Sequence, residues 1–368
     1  MQLRRLELWW RRQWIRILVR SMRRPADAKP DWSARPMRVL FLRHDRVGDM
    51  IVSTGVMRGI ARSHDTITLD VLASPANAVL LDGADYLSDV VVFDKKRISS
   101  YLPTALRLRR AGYDAVIDCM VTAPSVTTLL LILASGARHR IGIAGRGNDA
   151  AFNVTVPGRA ERDVHMVDRL AALARAFDVE LSPAARAPVL TITDAERDRA
   201  EREWNAGPGA PRVLVNVSAG SSERRWPDER YSAVIRHIVE RHSGAVVRVI
   251  ASPSDASRAT AIATAIARDV PGGDGAFVAT PRLRDAIALV ATADFVFTPD
   301  TSIAHAASAF TRPAVAIYAR GKKSDWALYG TLGESIEHSE PDLSGLPLEP
   351  VLRAVDRVLS EALAIPRG

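Results

Sequence analysis

The sequence predicts an α/β protein made of two successive parallel sheets, preceded by a basic amphipathic helix. Three observations carry this. From Met37 onward, short apolar runs of strand length alternate with amphipathic stretches of helix length, the pattern of parallel sheets covered by helices. The alternation pauses across residues 178–211 and resumes at Arg212, and 368 residues is more than one core usually serves. Finally, the first 24 residues differ sharply in composition from everything after them.

Taken in order, "MRVLFL" reads as a strand and "GDMIVSTGVMRGIARS" as a helix. "TITLDVLA" and "DVVVFD" are strands, "SYLPTALRLRRAG" a helix, "DAVIDC" a strand, "SVTTLLLILASG" a helix and "RHRIGI" a strand. "VHMVDRLAALARAF" is a further amphipathic helix. The second series runs "RVLVNV", "DERYSAVIRHIVERH", "AVVRVI", "SDASRATAIATAIARD", "LRDAIALVATA", "DFVFT", "SIAHAASAF" and "PAVAIY", strands and helices in turn; "LEPVLRAVDRVLSEALA" closes the chain as a helix. The expected organisation is a helix over 1–24, a proline-marked linker over 25–36, one domain over 37–178, a linker region over 179–211, a second domain over 212–345 and a final helix over 346–368.

In the amino-terminal segment, Leu3, Leu6, Trp10, Trp14 and Ile17 step by helical intervals and form one stripe, with Arg5, Arg12, Arg16, Arg20 and Arg23 opposite. Leu8 and Trp9 lie off the stripe. A basic helix with tryptophan and leucine on one face suits the headgroup layer of an anionic membrane; the alternative is a helix docked on the protein's own body. Arginines interrupt every apolar run, so the segment is neither a signal peptide nor a span. Eight arginines against Glu7 put nearly all of the net charge of +8 here. The rest of the chain is close to neutral, which argues against a broad nucleic-acid-binding surface.

Cys119 is the single cysteine, so no disulfide can form within the chain and no multi-cysteine zinc site is possible; a reducing cytoplasm fits. The histidines are scattered without ligand spacing, and no metal is expected. No Walker sequence, dinucleotide fingerprint or nucleophile elbow is present.

Three stretches could carry chemistry. In "RHDRVGDM", Gly48 would allow a tight turn after the first strand, and Asp49 would either cap the next helix or serve as a general base. In "SAGSSERRWPDERY", small residues permit close approach of a ligand, Arg224 and Arg225 can hold a diphosphate, and Trp226 and Pro227 are structural. In "TPDTSIAHAASAF", Asp300, Thr301, Ser302 and His305 crowd a helix amino terminus, which is a natural site for an anion as well as for a cap.

Together these motifs resemble glycosyltransferase family 9, the heptosyltransferase-type enzymes of lipopolysaccharide core synthesis. "RVLFLRHDRVGDMIVSTGVMRGI", "YDAVIDCMVTAPSVTTLLL", "VSAGSSERRWPDERYSAVI" and "FTPDTSIAHAASAFTRPAVAIY" fall in the family's order, from about Met37 to the end. The resemblance implies a GT-B fold, two Rossmann-like domains facing across a cleft, with the final helix packing back on the first. It implies inverting, metal-independent transfer from a nucleotide-activated sugar, with ADP-heptose the first donor to test, and no cofactor. By the same resemblance Asp49 is the base, and Ser222, Arg224, Asp300, Thr301, Ser302 and His305 bind the donor. Ser302 stands in place of the family's usual glycine and Arg224 in place of its lysine, and "IASPSD" replaces a Gly-Gly-Pro run. The implied partners are a nucleotide-sugar donor and a lipid-linked glycan acceptor. Residues 1–24 lie outside the resemblance; their basic amphipathic pattern fits an enzyme that meets such an acceptor on the cytoplasmic face of the inner membrane, and no nucleic acid is expected. The alternative is a GT-B-shaped protein of envelope assembly that binds sugar nucleotides without catalysis.

Overall fold

The computed structural model describes residues 13–23, 29–120, 124–145, 148–158, 164–269, 274–280 and 282–364. The chain divides into two compact units, Met1–Arg186 and Ala187–Gly368.

In the first unit, residues 13–21 form helix α1. Strands β1 (Met37–Arg43), β2 (Ile67–Ala73), β3 (Asp89–Val92), β4 (Ala115–Asp118), β5 (His139–Ile143) and β6 (Val154–Val156) make one sheet in the order β3-β2-β1-β4-β5-β6. Every pairing is parallel. The central strands are buried on both faces, which is why they read as continuous apolar runs rather than alternating ones. Helices α2 (Val47–Ala61), α3 (Tyr101–Ala111), α4 (Val126–Ser135), α5 (Met166–Ala171) and α6 (Pro183–Arg186) complete the unit. The single helix expected over "VHMVDRLAALARAF" is α5 followed by a 3-10 stretch, Ala172–Phe177. Within the expected linker, Trp32 is buried; its Nε1 donates to Ala176 O at 2.8 Å and its ring lies 4.3 Å from that of Phe177.

Only part of the amino-terminal stripe can be followed, because Leu3, Leu6 and Trp10 lie outside the described residues. Trp14 and Ile17 are 55% and 56% exposed. The adjoining edge of α1 is the docked one: Val19 and Met22 are buried in the first unit's core, with Ile15 and Leu18 packed against it. Arg140 Nη1 fixes the helix end by donating to Met22 O at 3.0 Å.

The second unit holds α7 (Asp194–Trp204), β7 (Arg212–Asn216), α8 (Asp228–Arg241), β8 (Val246–Ile250), α9 (Ala256–Asp269), β9 (Asp274–Phe277), α10 (Leu283–Thr292), β10 (Phe295–Pro299), α11 (Ser302–Ala309), β11 (Ala314–Tyr318), α12 (Lys323–Trp326), β12 (Gly333–Glu337) and α13 (Leu348–Ala364). Its sheet order is β9-β8-β7-β10-β11-β12, the first unit's connectivity repeated. Helix α7 lies where a linker was expected. Thr193 and Glu196 close a reciprocal capping box at its start, and Glu196 Oε1 accepts from Arg284 Nε of α10 at 2.7 Å. Helix α13 corrects an expectation. Its buried residues Val351, Ala354, Val355, Val358 and Leu359 belong to the second unit's own core, beside Trp226 and Ile317, where packing on the first domain was expected. The 3.6-residue spacing of these residues supplies the reason: they form a full stripe, and the second sheet takes it.

Candidate active site

In a doubly wound sheet, ligands bind at the carboxyl ends of the strands where the strand order reverses. That point lies between β1 and β4 in the first unit and between β7 and β10 in the second. Each candidate stretch falls beside one of these two points.

In the first unit, α2 begins at Val47, so Gly48 is a helical residue and not a turn residue. Arg46 is the N-cap and no side chain caps the helix, which leaves Asp49 out of the capping role. Asp49 is buried, and its Oδ2 accepts from Arg46 Nε at 2.7 Å. Burial raises its pKa above the ordinary carboxylate value, and the Asp45 charge adds to this; Arg43 and Arg46 work in the opposite direction. Behind it, Arg43 is buried, donating from Nε to Ser53 Oγ at 2.8 Å and from Nη1 to Asp45 Oδ2 at 3.1 Å. Ser53 Oγ in turn donates to the Asp49 carbonyl at 2.7 Å. Asp118, at the end of β4, accepts from Met120 N at 2.9 Å, and burial pushes its pKa up to about 6. His44, whose Nε2 lies 3.4 Å from Thr128 Oγ1, is held toward the neutral form by burial. Burial thus makes Asp49 and Asp118 hold protons more readily than free carboxylates do.

In the second unit, a 3-10 turn, Ser222–Arg224, carries Arg224 toward the end of β10. Arg224 Nη1 lies 3.2 Å from Asp300 Oδ2 and donates to Asp300 O at 3.1 Å. These contacts use one guanidinium nitrogen and leave the rest of the fork for another acceptor. Ser222 opens the turn and is exposed. Arg225 is drawn elsewhere: its Nη2 meets Asp255 Oδ1 at 2.8 Å. Trp226 is buried, its Nε1 donating to Leu346 O at 3.0 Å.

Helix α11 shows which of the residues at its mouth caps it. Thr301 is the N-cap and its Oγ1 accepts from Ile303 N at 3.3 Å. The same hydroxyl accepts from Asn216 Nδ2 at 3.0 Å and lies 3.1 Å from Thr298 Oγ1. Thr301 is therefore committed to the fold, while Ser302 sits half-buried in the first turn beside it. His305, one turn on, is buried with its ring 5.7 Å from that of Trp326. The structure thus brings Arg224, Asp300, Thr301 and Ser302 together at one helix mouth. Ser222 lies at the head of the same turn, and Asp49 belongs to the other unit. Asn216 is the residue that sequence reasoning missed. It ends β7, is buried, and ties β7 to both Thr298 and Thr301. A polar residue closing an otherwise apolar strand was its signal. Among the described residues no group of three or more His, Cys, Asp or Glu side chains could hold a metal ion.

Two Rossmann-like units with the same strand order, and polar clusters at both switch points, define the class: an enzyme of the GT-B fold. The model of glycosyltransferase family 9 (heptosyltransferase) matches residues 104–343, and the chain belongs to that family. It is a heptosyltransferase-like glycosyltransferase. It is 22% identical over 296 residues to lipopolysaccharide heptosyltransferase 2 of Escherichia coli, which covers 77% of this chain and 82% of the relative. The solved ADP-heptose lipopolysaccharide heptosyltransferase II of E. coli superposes with a TM-score of 0.71 at 21% identity, covering 89% of this chain and 100% of that one. A family 9 glycosyltransferase from Veillonella parvula superposes at 0.78 with 15% identity, covering 90% and 99%.

Proposed function

We propose that the protein transfers a heptose from ADP-heptose to the lipopolysaccharide core or a related glycolipid, with inversion and without a metal ion, at the cytoplasmic face of the inner membrane. The observation that carries the reading is the Arg224–Asp300 pair set against the amino terminus of α11. An arginine fork beside the positive end of a helix suits a nucleoside diphosphate. The names of the relatives supply the sugar and the acceptor class.

In this scheme Asp49 accepts the proton of an acceptor hydroxyl as its oxygen bonds to the anomeric carbon. The bond from that carbon to the diphosphate breaks, and its electron pair leaves on the nucleotide. Arg224, the α11 N–H groups and His305 meet the charge that develops there; donors of this kind are worth roughly 3 kcal/mol each in a preorganised site. Asp300 orients the arginine and holds sugar hydroxyls, while Ser222 and Ser302 line the phosphate path with Thr301 capping it. Burial of Asp49 serves the same end, since a base with a raised pKa takes a proton more effectively.

The test is turnover of purified protein with ADP-heptose and a heptose-free lipopolysaccharide acceptor, with and without EDTA, and the anomeric configuration of the product read by NMR. Transfer that EDTA abolishes, or retention at the anomeric centre, would sink the corresponding part. Binding of ADP-heptose without transfer to any glycolipid would favour the non-catalytic assembly protein.

A further inference from the structure

We infer that the first unit carries a composite membrane-docking face, formed jointly by the outward sides of α1, α3 and α4, whose ligand is the surface of an anionic lipid bilayer. This deepens the membrane part of the reading above and rests on it; it does not depend on the donor chemistry.

The three helices form one layer. Val19 of α1 and Met22 just after it, Leu108 of α3, and Leu129 and Ile132 of α4 all enter the same core cluster, together with Leu40 of β1 and Val116 of β4. Their inward faces are thus accounted for. Their outward faces are unusual. Each shows solvent a pair of large apolar side chains one turn apart: Trp14 and Ile17, Leu102 and Leu106, Leu130 and Leu133. The other large apolar side chains exposed among the described residues are Val92 and Ile98, which lie just ahead of α3. All of them belong to the first unit. Scattered singly they would mean nothing, but gathered on one layer they mark a surface that is covered in use.

Charge decides what covers it. Residues 13–23, α3 and α4 contain no aspartate or glutamate, and they carry Arg16, Arg20, Arg23, Arg107, Arg109 and Arg110. Arg107 is tied to Asp89 at 2.7 Å. Lys95 and Lys96 add exposed cations just before α3. Asp89 and Asp94 border the stretch ahead of α3, each paired with an arginine, and the cations outnumber them; apolar side chains framed by such an excess of cations match the interface of an anionic bilayer, where the rings and aliphatic chains enter the headgroup boundary and the cations stay at the phosphates. A second copy of the chain fits poorly, because a two-fold contact would set the arginines of one face against those of the other. The sequence leading into α1 continues the same chemistry with Trp9, Trp10, Arg11 and Arg12.

The experiment is flotation of the full-length protein with phosphatidylcholine vesicles and with vesicles that also contain phosphatidylglycerol. It compares the wild type with Leu102→Glu/Leu106→Glu and, separately, Leu130→Glu/Leu133→Glu. Residues 1–24 stay intact, the replaced side chains are exposed, and thermal melts establish that each variant is folded. Wild type should float with the anionic vesicles and not with the neutral ones, and each pair of substitutions should weaken that binding by about tenfold or more. Variants that bind like wild type would overturn the composite face and leave the amino-terminal segment as the sole anchor. A wild type that does not float would sink the membrane reading itself. Unchanged flotation with a halved mass in sedimentation would assign the face to self-association instead.

Discussion

The two units share one connectivity and differ in what they do with it. Both place polar groups where the strand order reverses, Asp49 and Asp118 beside β1 and β4, and Arg224 and Asp300 beside β7 and β10. In the first unit burial lifts both carboxylates toward the protonated form. In the second, the carboxylate sits against an arginine at a helix amino terminus. The outer layers diverge as well. Helices α3 and α4 carry no acid and expose leucines, whereas α7, α8 and α13 carry acids and arginines in abundance, with ion pairs such as Arg353–Glu349 along them. In the proposed scheme, one fold used twice provides a proton acceptor and a lipid-facing side in one copy and a cradle for an anionic leaving group in the other. The difference lies in burial and charge, not in topology.

Four predictions would break or sharpen this contrast. The largest concerns the base. Asp49→Asn should lower kcat by something on the order of 10²–10⁴, the usual worth of general-base catalysis, with the fold intact by circular dichroism. Arg224→Ala should cost roughly 10²–10³ in kcat/KM and weaken ADP binding measured by calorimetry, since it removes one preorganised donor. If ADP binding is untouched, the phosphate assignment fails.

Next comes a stability effect confined to the first unit. Asp118 has a folded-state pKa of about 6 against an ordinary value of 3.8, so the folded protein binds its proton more readily than the unfolded chain does. Stability is greatest below pH 3.8 on this account, falls as pH rises to about 6, and is flat above. Asp118→Asn keeps an acceptor for Met120 N and should stabilise the protein at pH 7.5 by up to ~3 kcal/mol, with the advantage vanishing in acid. Equal thermal melts for the two proteins at pH 7.5 would contradict the burial argument.

The smallest effect is a shift. The raised pKa of Asp49 predicts loss of activity on the acid side of the profile at a pH above that of a free carboxylate. Arg46 opposes that rise, so Arg46→Ala should move the acid limb of kcat/KM to still higher pH and leave the alkaline side in place.

Much of this was legible in the sequence because the signals were local. Central strands buried on both faces announce themselves as apolar runs. The strands that escaped notice, β6, β9 and β12, are sheet-edge strands of three to five residues; β12 is only partly buried and opens on Gly333. Helix α7 hid for the opposite reason. It buries little beyond Glu196, Ala200 and Trp204, too sparse a stripe to stand out from its charges, although its Thr193/Glu196 capping box was there to be read. At the site, the sequence named the polar residues that the structure gathers at the helix mouth, but not how they divide between fold and ligand. That Thr301 is spent on Ile303 N and Asn216 depends on β7 and β10 lying side by side, a long-range fact. In α1 the tryptophan stripe was plain, yet the docked edge through Ile15, Leu18, Val19 and Met22 was equally periodic, and only tertiary packing distinguishes the two.

The most direct test of the division between the units is to measure ADP affinity and single-turnover transfer on Asp49→Asn and Arg224→Ala side by side. The account predicts wild-type ADP affinity with lost transfer for the first, and weakened ADP affinity for the second. If Asp49→Asn loses ADP affinity in proportion to its loss of transfer, the residue acts in the donor site and the separation of roles between the two units is wrong.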